Sequence, residues 1–182
     1  MDLILRINVI VLIILLLSGC HSSKPSSVIE PSKLPEHIAG STDAQIARLE
    51  QKLAGKGVRI IATGQVYLVS IPSHLIFYEQ APRIRWASYE LLNEVAEYLC
   101  KFRKISVYVT GYNDCYLSDK RTKALTLARA RLISNYLWSQ NVRTRLIFTR
   151  GMGNDKPIVA HTNCTDVSPN SRIEIVFRRA IV

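Results

Sequence analysis

Two charged residues, Asp114 and Arg129, sit fifteen positions apart at places where a charge is hard to keep. Over residues 105–110, Ile105, Val107 and Val109 alternate with Ser106, Tyr108 and Thr110, the period of a short strand, and Gly111 closes it. Asp114 follows at once. Arg129 lies in a helical pattern over residues 118–140, four after Leu125 and four before Ile133, at the edge of an apolar stripe. A half-buried guanidinium without a partner is costly, so an acid must be supplied. Its own helix offers none one turn away, because positions 125, 126, 132 and 133 are Leu, Thr, Leu and Ile. The acid therefore comes from elsewhere in the fold or from a ligand. A strand's carboxyl end and the first turns of the next helix share one rim of a sheet, where ligands of open α/β sheets gather. The helix start adds free N–H groups and partial positive charge. There an Arg fork grips a carboxylate with two parallel bonds, and an Asp takes an ammonium group. Together they suit the zwitterionic head of an amino acid. A plain structural Asp–Arg pair fits the same spacing equally well.

The elements that must hold this rim can be read in order. Thr42 or Ser41 caps a helix over residues 43–56, with Ile46, Leu49 and Leu53 as one narrow stripe and Gly55 and Gly57 at its end. Residues 58–62 and 65–71 form a hairpin pair around Thr63-Gly64. Both faces of the second strand are largely apolar, as in a central strand, and Pro72 stops the ladder. Residues 86–102 form an amphipathic helix, with Leu91, Leu92, Val95, Leu99 and Phe102 inside and Glu90, Glu94 and Glu97 outside. Lys101, Arg103 and Lys104 suit its C-terminus. The helix over residues 118–140, capped by Ser118 or Asp119, buries Leu125, Ala128, Leu132, Ile133, Tyr136 and Leu137. Residues 145–149 and 172–177 give two more strands, separated by a loop over residues 150–170 that Gly151, Gly153, Pro157 and Pro169 break. Strands and helices alternate, so the class is α/β, one sheet with two main helices packed on it. There are no internal repeats.

A chain of 182 residues is one domain with something left over. Its net charge of +10 points to an anionic partner, such as a membrane surface or an acidic polymer. The basic residues are scattered, with no run of five, so nucleic acid is not expected as a partner. The surplus lies at the N-terminus. Residues 3–17 are almost wholly apolar apart from Arg6 and Asn8. The unbroken run over residues 9–17 is short of the roughly 20 apolar residues a spanning helix needs. It fits a signal-peptide core. It ends in Leu17-Ser18-Gly19-Cys20, which resembles the bacterial lipobox, where a signal peptidase cuts before the Cys and the Cys is lipidated. Residues 1–19 are thus expected to be a lipoprotein signal peptide. Residues 20–42, rich in Ser, Pro and Lys, are expected to be a flexible tether from lipidated Cys20. His21 and Ser22 stand where enteric-type sorting would need an Asp to retain the protein in the inner membrane. By that analogy the protein is anchored in the outer membrane by its lipid, with the domain facing the periplasm.

Residues 109–114 are followed by Leu125-Thr126-Leu127-Ala128-Arg129-Ala130, Tyr136-Leu137, Gly151-Met152-Gly153, Pro157 and Asn170-Ser171-Arg172-Ile173-Glu174-Ile175. This series resembles the C-terminal peptidoglycan-binding domain of the OmpA family over about residues 57–178. That family carries Gly-x-Thr-Asp after its second strand, Asn-x-x-Leu-Ser-x-x-Arg-Ala on the helix and Asn-Arg-Arg-Val-Glu-Ile on its last strand. Asp114 and Arg129 fall on the family's acid and base. The resemblance implies a βαβαββ sandwich over residues 57–182, with a mixed sheet, no catalysis and no cofactor. It also implies that Asp114 and Arg129 hold the diaminopimelate of the cell-wall stem peptide, with Asn113, Thr122 and Arg172 beside them. The chain departs from the pattern at the rim. Asn113 replaces Thr, Thr122 replaces Asn, Thr126 replaces Ser, Ser171 replaces the first of the paired Arg residues, and His74 stands where Asp is common. Size and layout also resemble short lipoproteins of type IVB secretion systems. That likeness implies a second role, as a structural subunit among other secretion-system core subunits with weak or no wall binding.

Cys115 and Cys164 fall in loops that the family fold brings near the pocket rim, and the periplasm permits disulfides. The resemblance therefore implies a Cys115–Cys164 bridge, with two unpaired surface thiols as the alternative. Cys100 reads as a core residue. His74, His161, Cys115 and Cys164 have no short ligand spacing, so no metal site is expected. Gly151-Met152-Gly153 lacks a third glycine and opens no helix, so it is no dinucleotide loop.

Overall fold

Thr42 caps its helix reciprocally: its hydroxyl accepts from the Gln45 N–H, and the Gln45 side chain accepts from the Thr42 N–H. The computed structural model describes residues 42–114, 119–160 and 165–180. The chain divides into two compact units, Met1–Lys33 and Leu34–Val182, and all described residues belong to the second. Helix α1 (Asp43–Gly55) leads into β1 (Arg59–Thr63) and β2 (Val66–Pro72). A short helical turn, α2 (Ser73–Ile76), and a 3-10 turn (Trp86–Ser88) precede α3 (Tyr89–Cys100). Then come β3 (Lys104–Tyr112), α4 (Asp119–Ser139), β4 (Leu146–Gly153) and β5 (Arg172–Arg179).

The five strands make one mixed sheet in the order β1-β2-β5-β3-β4. β3 and β4 run parallel and the other neighbours antiparallel. From β2 onward the main elements follow the expected βαβαββ order, and β1 adds an edge strand. Val69, Ile71, Val107, Val109, Ile173, Ile175 and Phe177 from the sheet share one core with Leu92, Val95 and Leu99 of α3 and Ala130, Ile133 and Leu137 of α4. Every described core residue lies between Ile46 and Phe177, so the unit Leu34–Val182 carries the whole of this core.

Helix α1 belongs to the domain. Its stripe of Ile46, Leu49 and Leu53 is buried in the common core. Charge fastens it as well: Lys52 and Lys56 both reach Glu94 of α3, at 2.8 and 2.7 Å. Glu94 is therefore buried, not on the outer face that its helical position suggests, because two ammonium groups meet it there.

Two further differences matter for the site. A register shift between Lys104 and Val107 breaks the alternation of β3. Lys104 is buried, and Ile105, expected inside with Val107, is 59% exposed. Strand β4 also runs on to Gly153, so it carries Gly151 up against α4. A Cβ at Gly111 would stand 2.4 Å from the Thr126 carbonyl oxygen, and one at Gly151 would stand 2.3 Å from the Leu127 amide nitrogen. Only glycine permits that approach. The contact seats the early turns of α4 on the carboxyl ends of β3 and β4.

Candidate functional site

This seating decides where Arg129 points. The buried face of α4 is Thr122, Thr126, Arg129, Ala130, Ile133, Ser134 and Leu137. Leu125, Ala128, Leu132 and Tyr136, expected on that face, are only half-buried. The glycine contacts draw the Thr122–Thr126 side onto the sheet, and this roll moves Arg129 from the stripe's edge to its centre. Thr126 fits there because its hydroxyl donates back to the carbonyls of Thr122 and Lys123 and accepts from the Gly153 N–H at 3.0 Å.

Arg129 has no solvent exposure and is the largest fully buried side chain described. Its guanidinium lies over the Phe77 ring, 4.9 Å from the centroid. Nε donates to the Ala81 carbonyl at 3.1 Å and Nη2 to the Tyr78 carbonyl at 3.3 Å. The two outer nitrogens grip the Asp166 carboxylate in a fork, at 2.8 and 2.7 Å. The acid that burial demands is therefore Asp166, in the segment between β4 and β5, and Arg129 makes no ion pair with Asp114. Asp166 is itself 2% exposed. The sequence signal for it was the demand alone: nothing in the spacing distinguished it from Asp155, the other carboxylate of that loop.

Asp114 is fully buried and belongs to the same network by another route. The Gln80 N–H donates to Asp166 at 2.8 Å, and the Asn113 amide donates to the Gln80 side-chain oxygen at 3.1 Å. The Asn113 side-chain oxygen in turn accepts from the Asp114 N–H at 2.8 Å and from the Ser171 hydroxyl at 2.9 Å. The Asn170 amide donates to the Asp114 carboxylate at 3.1 Å. Gln80 takes φ 46, a left-handed conformation uncommon for a side-chain-bearing residue, and this aims its N–H at Asp166. Gln80, Asp166 and Ser171 were not anticipated as site residues. Ser171, noted only as a departure, is fully buried and ties Asn113 to the Thr165 carbonyl.

The other expected residues surround this network. Asn113 is in it. Thr122 is buried on α4 beneath it. Arg172, also buried, stacks 4.1 Å from the centre of the Tyr112 ring. It pairs with Glu174 at 2.7 Å and donates to the carbonyls of Asn170 and Lys156. It thus braces the rim through contacts within the chain. Cys20, Cys115, Cys164 and His161, and the capping position Ser118, lie outside the described residues. Cys100 is half-buried, with its thiol 3.8 Å from the Asn141 carbonyl. No group of His, Cys, Asp and Glu among the described residues is arranged to hold a metal ion.

The arrangement can hold a carboxylate. Its fork is preset by an aromatic floor and two backbone carbonyls, in a buried setting where a charge-assisted bond is strong. A second, amide-bound carboxylate, Asp114, lies within the same network.

Known proteins share both the sequence pattern and the fold. The model of the OmpA family matches residues 76–171. The probable lipoprotein YiaD of Escherichia coli is 29% identical over 135 residues, covering 74% of this chain and 62% of its own length. The peptidoglycan-binding protein ArfA of Mycobacterium tuberculosis is 33% identical over 90 residues, half of this chain and 28% of its own. The chain thus spans less than two thirds of either relative. Among solved structures, the cell wall anchor of the type VI secretion system of Pseudomonas aeruginosa superposes with a TM-score of 0.62 at 20% identity, over 74% of this chain and 97% of that one. On the match of the family model, which covers more than half of its length, this chain belongs to the OmpA family.

Proposed function

We propose that this protein is a non-catalytic lipoprotein of the outer membrane that binds peptidoglycan and anchors the envelope, or a machine within it, to the cell wall. Cys20 carries the lipid, residues 20–42 give reach, and the domain meets the wall with the Arg129 end of its sheet. Arg129 takes a carboxylate of diaminopimelate and Asp114 its ammonium group. Asn113 orients Asp114, while Thr122 and Arg172 brace the rim. The observation that carries this reading is the bidentate Arg129–Asp166 pair. Asp166 occupies the fork that a ligand carboxylate needs, so binding exchanges one carboxylate for another. A relative called peptidoglycan-binding and another called a probable lipoprotein support the reading.

The test is co-sedimentation of the Leu34–Val182 unit with purified sacculi. Asp114→Asn and Arg129→Lys keep size, and in the second case charge, but remove the acid and the fork. Both are expected to lose sedimentation, and retention equal to the parent protein would sink the proposal. The same pair also favours a second reading. An Arg129 already neutralised by Asp166 needs no ligand, as in a structural subunit of a type IVB-like secretion core that keeps the fold without wall binding. Failure of the parent protein to sediment, together with its recovery in a stable complex after detergent extraction, selects that reading.

A further inference from the structure

The fold gathers at one end of the sheet three of the arginines that the sequence scatters. Between Glu97 and Asp114, and again between Asp119 and Asp155, the chain has no acidic residue. These stretches contain β3, all of α4 after its first residue, and β4. At the amino ends of β3 and β4, Arg103, Arg143 and Arg145 line a cleft of about 350 Å³. An adjoining cleft of about 540 Å³ runs from Arg143 to Trp138. None of the three arginines makes an ion pair among the described residues.

Large apolar side chains stand beside these cations. Trp138 is 63% exposed, Ile105 59% and Leu146 51%. Trp138 lines the second cleft, and Ile105 and Leu146 adjoin the cleft residues along β3 and β4. The Ile105 carbonyl accepts from the Arg145 N–H and the Thr144 hydroxyl, at 3.0 and 2.8 Å, and Leu146 pairs with Ser106. The strand bulge that turns Ile105 outward creates this feature. A cost in exposed apolar surface is maintained next to unpaired positive charge.

We propose that this end of the domain docks on an anionic phospholipid bilayer. Headgroup phosphates attract arginines at a membrane surface. Tryptophan settles at the headgroup level, and apolar tips enter below it. A nucleic acid would use the charge but leave Ile105 and Leu146 unemployed. A second copy of the chain would bring like charge against like. The docking end lies at the amino end of β3 and Asp114 just past its carboxyl end, across a nine-residue strand that spans roughly 27 Å. A docked domain therefore presents Asp114 away from the bilayer, with Arg129 between, roughly 13 Å along α4 from Trp138. This inference does not depend on wall binding.

The test uses the Leu34–Val182 unit, which lacks Cys20, with vesicles of phosphatidylcholine containing one quarter phosphatidylglycerol. A Trp86→Phe background leaves Trp138 as the one tryptophan of this unit. The expected results are binding at low salt that fails on pure phosphatidylcholine, and a blue shift of Trp138 emission. Arg143→Glu with Arg145→Glu is expected to weaken binding at least about 25-fold, since one basic residue near the surface contributes about fivefold. Trp138→Ala is expected to weaken it independently. Circular dichroism melts confirm that these exposed substitutions leave the domain folded. Equal vesicle binding by the charge-reversed variant, no binding to the anionic vesicles, or preference for a DNA duplex would overturn the proposal.

Discussion

Replacing Asp166 by Ala removes the only carboxylate among the described residues that meets Arg129. The guanidinium, with no exposure of its own, keeps the Ala81 and Tyr78 carbonyls but loses two charge-assisted bonds of 2.7 and 2.8 Å. Breaking a buried ion pair from one side costs about 3–5 kcal/mol, because the remaining charge stays desolvated. That is a large share of the 5–15 kcal/mol that typically separates folded from unfolded chains. Urea unfolding of Asp166→Ala should show this loss at neutral pH. The cavity left behind has the shape and charge for a small carboxylate. Formate or acetate should therefore restore stability, by about 2.7 kcal/mol at a hundred times its dissociation constant. Arg129→Met combined with Asp166→Leu should come much closer to the parent, since a buried pair exchanged for apolar bulk is often neutral. A loss below about 1 kcal/mol in Asp166→Ala, or no response to added carboxylate, would refute the view that the pair is desolvated and that the fork is a carboxylate receptor.

Three further outcomes follow from the packing. Gly151→Ala drives a Cβ into the α4 backbone, 2.3 Å from the Leu127 nitrogen and 2.6 Å from the Lys123 carbonyl oxygen, so calorimetry should record a loss at or above the upper end of the about 1–3 kcal/mol range for overpacking. Burial pushes the Lys104 ammonium down from 10.5 to about 8. The unfolded chain then holds that proton between pH 8 and 10.5 while the folded one does not, so this residue's contribution to stability rises across that window, by on the order of 3 kcal/mol. Lys104→Met should flatten the rise in urea titrations at pH 7.5 and 10. Burial pushes the Glu94 carboxyl up, but Lys52 and Lys56 outweigh it and hold it below its ordinary value. The stabilisation is thus present above pH 4.5 and lost as pH falls through the depressed value. Glu94→Gln should cost about 1 kcal/mol, since both lysines keep contact with water, and should speed amide exchange in α1.

The fold was largely legible because its signals are local. The Thr63-Gly64 turn marked β1 and β2, alternation marked β3, the three-and-four spacing marked α3, and Thr42 or Ser41 marked the start of α1. What escaped depended on partners far along the chain. Ile105 reads as inward until a bulge against β5 turns it out. Glu94 reads as solvent-facing until two lysines of α1 arrive. At the site, the need for an acid near Arg129 was legible from desolvation alone, but its source was not. Asp166 lies 37 residues away in a loop without periodicity, and only the closure of the sheet brings it to the fork. Gln80 and Ser171 are likewise recruited by tertiary geometry, through a left-handed backbone turn and a buried hydroxyl.

Under the proposed function, a ligand carboxylate takes the place of Asp166 on Arg129. Nuclear magnetic resonance of the Arg129 guanidinium and the Asp166 carboxylate carbon, during titration with a diaminopimelate-containing stem peptide, tests it most directly. Both signals should move together and saturate with one dissociation constant, and Asp166→Asn should tighten that constant. Sacculus binding that persists while neither signal moves would contradict the claim and put the wall contact elsewhere on the domain.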